Sequence, residues 1–296
     1  MLWQKGRRSD NVEDAGEGGG GGGPSFGGRG LGIGGIIILA ILGMVFFKDP
    51  TALLGQGEPG AAPQQQTQTQ TQTQAAPRQA AANDPQVDFV RAILGETEDT
   101  WGEIFTANGQ TYERPKLVLF HGGVRTACGS ASSAVGPFYC PGDHKVYLDL
   151  DFFRTMQERF HSAGDFARAY VIAHEVGHHV QNLVGVFDKV SDARRRGARL
   201  EGASGLSVRQ ELQADCFAGV WANHSQQRQQ WLQPGDVESA LNAATAIGDD
   251  ALQEQAQGRV VPDSFTHGTS AQRVRWFKAG LESGDIGKCN TFSGSI

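Results

Sequence analysis

The chain is poor in several things that a single packed body would need. Only 39% of its 296 residues are hydrophobic while 41 are Gly, which excludes one uniform core running from end to end. It has no surplus of basic charge: the net formal charge is −6. A dominant phosphate-backbone partner calls for a basic patch, and the one cluster, Arg194, Arg195, Arg196 and Arg199, reads as the solvated face of a helix, so no nucleic-acid partner is expected. No repeat of solenoid period is present. Cysteine is scarce, with four in the chain and none before Cys128.

The bias is local. Eighteen of the 41 Gly fall within residues 1–60, and residues 56–82 are almost wholly Gln, Thr, Ala, Pro and Gly. Residues 84–296 remain as a body long enough for a sizeable core. Between the two biased segments lies LGIGGIIILAILGMVFF, residues 31–47, which are 17 residues without a charge. That is the lower edge of what spans a bilayer as a helix. A buried helix lacks neighbours to bury it, and a cleaved signal peptide lacks an A-x-A site. Lys5, Arg7, Arg8 and Arg29 precede the segment and only Lys48 follows it closely. The expectation is a single-pass anchor in the cytoplasmic (inner) membrane. A disordered cytoplasmic leader (1–30) would precede the transmembrane helix (31–47), and a low-complexity linker (48–83) would carry a periplasmic or extracellular domain (84–296).

All four cysteines fall in that domain, as an oxidising compartment would allow. Of three possible pairings, Cys128 with Cys140 closes a loop containing Gly129, Gly136 and Pro137, leaving Cys216 with Cys289; the alternative is that Cys216 is a buried thiol. Apolar spacing predicts helices over Asp88–Leu94, Thr97–Thr106, Phe152–His161, Asp165–Val184, Phe187–Leu200, Ser207–Gln229, Pro234–Ile247 and Ser270–Glu282. Strands are expected at Lys116–Phe120 and Lys145–Asp149. The fold class is α+β, mainly helical with a small sheet.

The most informative stretch is AYVIAHEVGHHVQNL, residues 169–183. Four residues advance a helix by about 400°, so His174 and His178 project from one face and both can ligate one Zn²⁺. Glu175 beside them can take a proton from water, which is why H-E-x-x-H carries a mechanism. A catalytic zinc keeps three protein ligands, and Glu211 supplies the third. Asp215, a turn beyond Glu211, is placed to accept from a ligand His and fix its tautomer. His179 should point away, about 140° around the helix. His121, His144, His161 and His224 lack partners at ligand spacing.

HEVGHH followed by ELQADCFAGVW, with ACGSASSAVGPFYCPGDHKVYLDLDFF upstream and SFTHGTSAQRVRWF downstream, closely resembles the bacterial neutral zinc metallopeptidases of the YpfJ type. The likeness covers nearly all of residues 84–296 and implies a zincin-like domain. More distantly the motifs resemble the gluzincins of the HtpX and CAAX-protease group. That pattern implies His174, His178 and Glu211 as ligands of one Zn²⁺ and Glu175 as base. The group also has Thr-His-Pro with an Arg six positions past the His; here Thr266-His267-Gly268 is followed by Arg273. By resemblance His267 stabilises an oxyanion and Arg273 supports the site. The function implied is a membrane-anchored endopeptidase acting on a peptide or protein substrate, with Lys145–Asp149 as a candidate edge for an extended peptide. The alternative is a zinc-binding interaction or assembly module without turnover.

Overall fold

The computed structural model describes residues 1–17, 78–79, 84–132, 135–160 and 164–296. Its sheet holds β1 (Val12–Glu17), β2 (Arg78–Gln79), β3 (Lys116–His121), β6 (Phe138–Cys140) and β7 (Lys145–Asp149), in the order β2-β1-β3-β7-β6. The centre is parallel: β3 pairs with β1 through Leu117↔Val12 and with β7 through Leu117↔Val146, while β2 and β6 are antiparallel to their neighbours. The hairpin of β4 (Gly123–Thr126) and β5 (Gly129–Ser132) stands apart, with Cys128 in its turn.

Helices make up the rest: α1 (Pro85–Ala107), α2 (Asp151–Phe160), α3 (Asp165–Leu183), α4 (Val186–Arg195), α5 (Leu206–Gln229), α6 (Asp236–Ala246), α7 (Asp249–Gln257) and α8 (Ser270–Ser283). Local chemistry marks their ends. Asp84 caps α1 by accepting from the Gln86 N–H at 2.7 Å, with Pro85 at the first helical position. Thr269 and Gln272 form a capping box at the start of α8, and Gly284 ends it at φ 62°. Helix α3 runs through the core, where Phe166 and Tyr170 meet Trp221 of α5 and Phe277 of α8.

The expected helices around residue 95 are one helix, α1. Gly95 is no stop; a Cβ there would lie 2.5 Å from the Arg7 carbonyl oxygen, so the glycine lets the N-terminal segment cross the helix backbone closely. That segment is bound in place. Arg7 reaches Glu98 and Asp99 at 2.6 and 2.8 Å, Arg8 reaches Asp88 at 2.7 Å, and Ser9 and Asn11 both donate to the buried Glu98 at 2.6 and 2.7 Å.

These contacts correct the expected architecture and location. Among the described residues no helix is long and apolar enough to cross a membrane, and the segment 31–47 lies outside them. Residues 1–17, expected in a cytoplasmic leader, instead contribute β1 to the interior of the sheet formed with residues 84–296, so the two cannot stand on opposite faces of a bilayer. The single-pass anchor with a periplasmic or extracellular domain is therefore not supported. Arg7 and Arg8, read as orienting charges beside a span, are instead ion-pair partners of α1. The linker at 48–83 lies outside the described residues apart from β2.

Both expected disulfides are present, Cys128–Cys140 and Cys216–Cys289. The first ties the hairpin to β6, and the second ties the C-terminal segment to α5. A further correction concerns the substrate edge: β7 lies between β3 and β6, and β6 is the outer strand on that side among the described residues.

Candidate metal centre

Helical periodicity sets His174 and His178 a turn apart on α3, with ring centroids 4.8 Å apart. What brings α5 to them is Gly177, between the two. A Cβ on Gly177 would meet the Ala214 carbonyl oxygen at 3.0 Å and its Cα at 3.2 Å, so a side chain here would push the helices apart by a few tenths of an ångström. Glu211 and Asp215 flank Ala214 and are thereby delivered onto the histidines.

Glu211 Oε2 lies 3.1 Å from His174 Nε2, and its Oε1 lies 3.4 Å from His178 Nε2. One donor atom from each of His174, His178 and Glu211 falls within 4.8 Å of the others. The opposite face of His174 is held by Asp215, whose Oδ1 is 2.8 Å from Nδ1. Asp215 is fully buried and accepts from Arg273 Nε and Nη2, both at 2.9 Å, and from the Tyr170 hydroxyl. Helix α8 can place Arg273 so deeply because α5 and α8 meet at glycines: a Cβ on Gly280 would lie 1.9 Å from the Cys216 carbonyl oxygen, and one on Gly219 2.1 Å from that of Phe277.

Electrostatics follow from this geometry. Burial works against the charge on Asp215, but Arg273 and His174 hold its carboxyl well below the usual range. Burial likewise opposes charge on Glu211, and His178 and His174 overcome it, so that it too stays ionised. On His174 burial favours the neutral ring, yet Asp215 and Glu211 push its pKa up to about 10. Glu175 is the opposite case: burial raises its pKa more than the neighbouring histidines lower it.

The remaining expected residues sit nearby. Asp249, at the start of α7, accepts backbone N–H bonds from Thr266, His267 and Gly268 at 2.7, 2.7 and 3.0 Å, wrapping that loop around its carboxylate. His267 Nδ1 is 3.3 Å from Asp249 Oδ1; burial alone would lower this histidine, but Asp249 and Glu211 raise it. Gly268 has φ 90° and donates its N–H, and proline is capable of neither, so the departure from Thr-His-Pro has a local cause. His267, Arg273, His174, Glu175, His178 and Glu211 all line one cleft of about 540 Å³, walled by apolar side chains that include Phe138, Phe152, Val171 and Leu252.

Other histidines are elsewhere. His179 points away, buried, with Nε2 2.7 Å from the Glu113 carbonyl and Nδ1 3.1 Å from the Tyr139 hydroxyl. His144 pairs with Glu113, His224 meets the Gly284 carbonyl, and His161 lies outside the described residues. Cys216 is in its disulfide. Sequence reasoning passed over Tyr170, Gln181 and Asp249; only Gly177, inside HEVGHH, carried a visible signal, a glycine in a helix interior.

Comparison with known proteins places the chain in a family. The model of the family described as "Putative neutral zinc metallopeptidase" matches residues 1–292. YpfJ of Escherichia coli K12 is 51% identical over 303 aligned positions, covering the whole of both chains. Rv2575 of Mycobacterium tuberculosis H37Rv and Mb2605 of Mycobacterium bovis are each 50% identical over 192 positions, covering 62% of this chain and 64% of theirs. Their names state no activity. No solved structure matches the chain. With a family model spanning nearly every residue and a full-length relative at this identity, the chain belongs to the neutral zinc metallopeptidase family.

Proposed function

We propose that the protein is a zinc-dependent endopeptidase in which His174, His178 and Glu211 hold one Zn²⁺ and Glu175 is the general base. The observation that carries this reading is the convergence of two imidazole nitrogens and one carboxylate oxygen within 4.8 Å, on the wall of a cleft that Glu175 also lines. The donor set fits the ion: three N and O ligands leave a fourth position for water, as a catalytic zinc requires. When bound, the ion supplies Lewis-acid polarisation and lowers the pKa of water.

The protein's own groups do the rest. Glu175, its proton affinity raised by burial, accepts the proton of the attacking water and returns it to the departing amine. His267, held by Asp249 and favoured in its charged form, donates to the carbonyl oxygen as that oxygen gains charge. Asp215 and Arg273 fix the ring of His174 and its tautomer. Outer strand β6 offers main-chain groups to an extended substrate, a mode that sets no sequence requirement. Arg273, the arginine lining the cleft, is paired with Asp215 and so is not free to hold a terminal carboxylate.

The test is cleavage of an unfolded protein by the full chain, before and after chelation. One zinc per chain, activity lost on chelation and regained with zinc is the expected result. Activity that survives complete zinc removal contradicts the proposal.

A further inference from the structure

Gln181 is buried on α3, three residues beyond His178. Its amide has one possible direction. The Gln210 main-chain carbonyl only accepts, and lies 2.7 Å from one end of the amide, so that end is the NH₂ group. The same nitrogen donates to Gln213 Oε1 at 3.0 Å. Oε1 of Gln181 therefore faces His178 Nδ1, at 2.9 Å. An oxygen there takes a ring proton, so Nδ1 carries hydrogen, and in the neutral ring the lone pair that a metal would take is then on Nε2, the nitrogen 3.4 Å from Glu211 Oε1.

Gln213 is oriented by the same logic. Its Nε2 donates to the Cys289 carbonyl at 3.0 Å, which leaves its Oε1 for Gln181. Cys289 is bonded to Cys216 on α5, the helix that carries Glu211, Gln213 and Asp215. Two acceptor-only backbone carbonyls thus fix the whole relay.

We propose that Gln181 is the positioning residue of His178, as Asp215 is of His174, and that its direction is set through Gln213 by the disulfide-tethered carbonyl of Cys289. The two ligands are then supported differently, one by a buried carboxylate and one by a neutral amide. This orients His178 without adding a further negative charge to those of Glu211 and Asp215. The proposal rests on the zinc reading above.

The experiment compares full-length wild type, Gln181→Met and Gln181→Glu by zinc competition with a chromophoric chelator, by thermal melting after chelation, and by the ¹⁵N-detected ring N–H signal of His178 in the zinc-loaded protein. Gln181→Met keeps the bulk and removes the acceptor: zinc affinity should fall about ten- to a hundredfold and the protected Nδ1–H signal should disappear. Gln181→Glu keeps an acceptor for His178 but loses the donors to Gln210 and Gln213. It should hold zinc within about threefold of wild type while melting below Gln181→Met, because it buries an extra charge. A merely structural role predicts that zinc affinity follows melting temperature in both variants, and that order overturns the proposal. So does a Gln181→Met protein that binds zinc as wild type does. Wild-type protein that binds no zinc overturns the zinc reading itself, a result separable from the other two.

Discussion

Arg273→Met isolates the ion pair beneath the metal centre. Arg273 is 2% exposed and Asp215 0%, and the guanidinium donates to both carboxylate oxygens at 2.9 Å. Methionine keeps much of the volume and removes both bonds, leaving the Asp215 charge to Tyr170 and His174 alone. Breaking a buried pair from one side costs about 3–5 kcal/mol. At roughly 2–4 °C per kcal/mol for a body of this size, the melting temperature should fall by about 6–20 °C. Calorimetry of chelated Arg273→Met, Asp215→Asn and the double variant reads this directly. The double variant should be less destabilised than the sum of the singles, by about 1–3 kcal/mol, because the charge left unpaired is itself removed. The pH dependence has a definite sign. The folded-state pKa of Asp215 is depressed, so its contribution is complete above the unfolded carboxyl value of about 3.9 and is lost as pH falls through the folded value. Removing Arg273 should move that loss to milder acid. An Arg273→Met protein melting within about 2 °C of wild type, or strictly additive singles, would refute this account of the pair.

Further outcomes follow from other parts of the structure. His174 has a raised pKa of about 10, so in chelated protein its stabilising contribution is full below the unfolded value near 6.5 and declines as pH rises towards 10. Denaturant titrations across that window should show this slope, at most about 1.4 kcal/mol per pH unit, and saturating zinc should flatten it. Gly280→Ala forces a Cβ to within 1.9 Å of the Cys216 carbonyl oxygen and should abolish soluble folded protein. Gly102→Ala in α1, where a Cβ would meet nothing within 4 Å, should stabilise by about 0.5–1 kcal/mol; urea unfolding of both separates close approach from simple helix propensity. Glu98→Leu removes the acceptor shared by Arg7, Ser9 and Asn11, so hydrogen exchange at residues 9–14 should accelerate before that of α3; unchanged protection there would show that β1 pairing alone holds the segment.

The ligand residues were legible because periodicity fixes directions within a helix: His174 with His178, and Glu211 with Asp215, each share a face whatever surrounds them. How the two helices meet was not legible, since it depends on Gly177 against Ala214, a contact between segments more than thirty residues apart. Strand β1 was missed for a similar reason. VEDAGE has little apolar alternation of its own, and its place is set by β3, about a hundred residues later. The reading of Arg7 and Arg8 as membrane-orienting charges failed because a local charge count is blind to Glu98 and Asp88, which those arginines meet only in the folded chain. The two helices expected at Asp88–Leu94 and Thr97–Thr106 are one, and Gly95 between them admits the crossing segment at Arg7. The expected edge strand β7 is interior because β6, only three residues long, covers it.

The central claim is that Glu175 performs the proton transfer while three other side chains hold the metal. Measuring zinc content and peptide-bond cleavage together in Glu175→Gln tests it most directly. About one zinc per chain is expected, as in wild type, with turnover of an unfolded protein reduced by about 10²–10⁴-fold. A Glu175→Gln protein that holds its zinc and cleaves at the wild-type rate would contradict it.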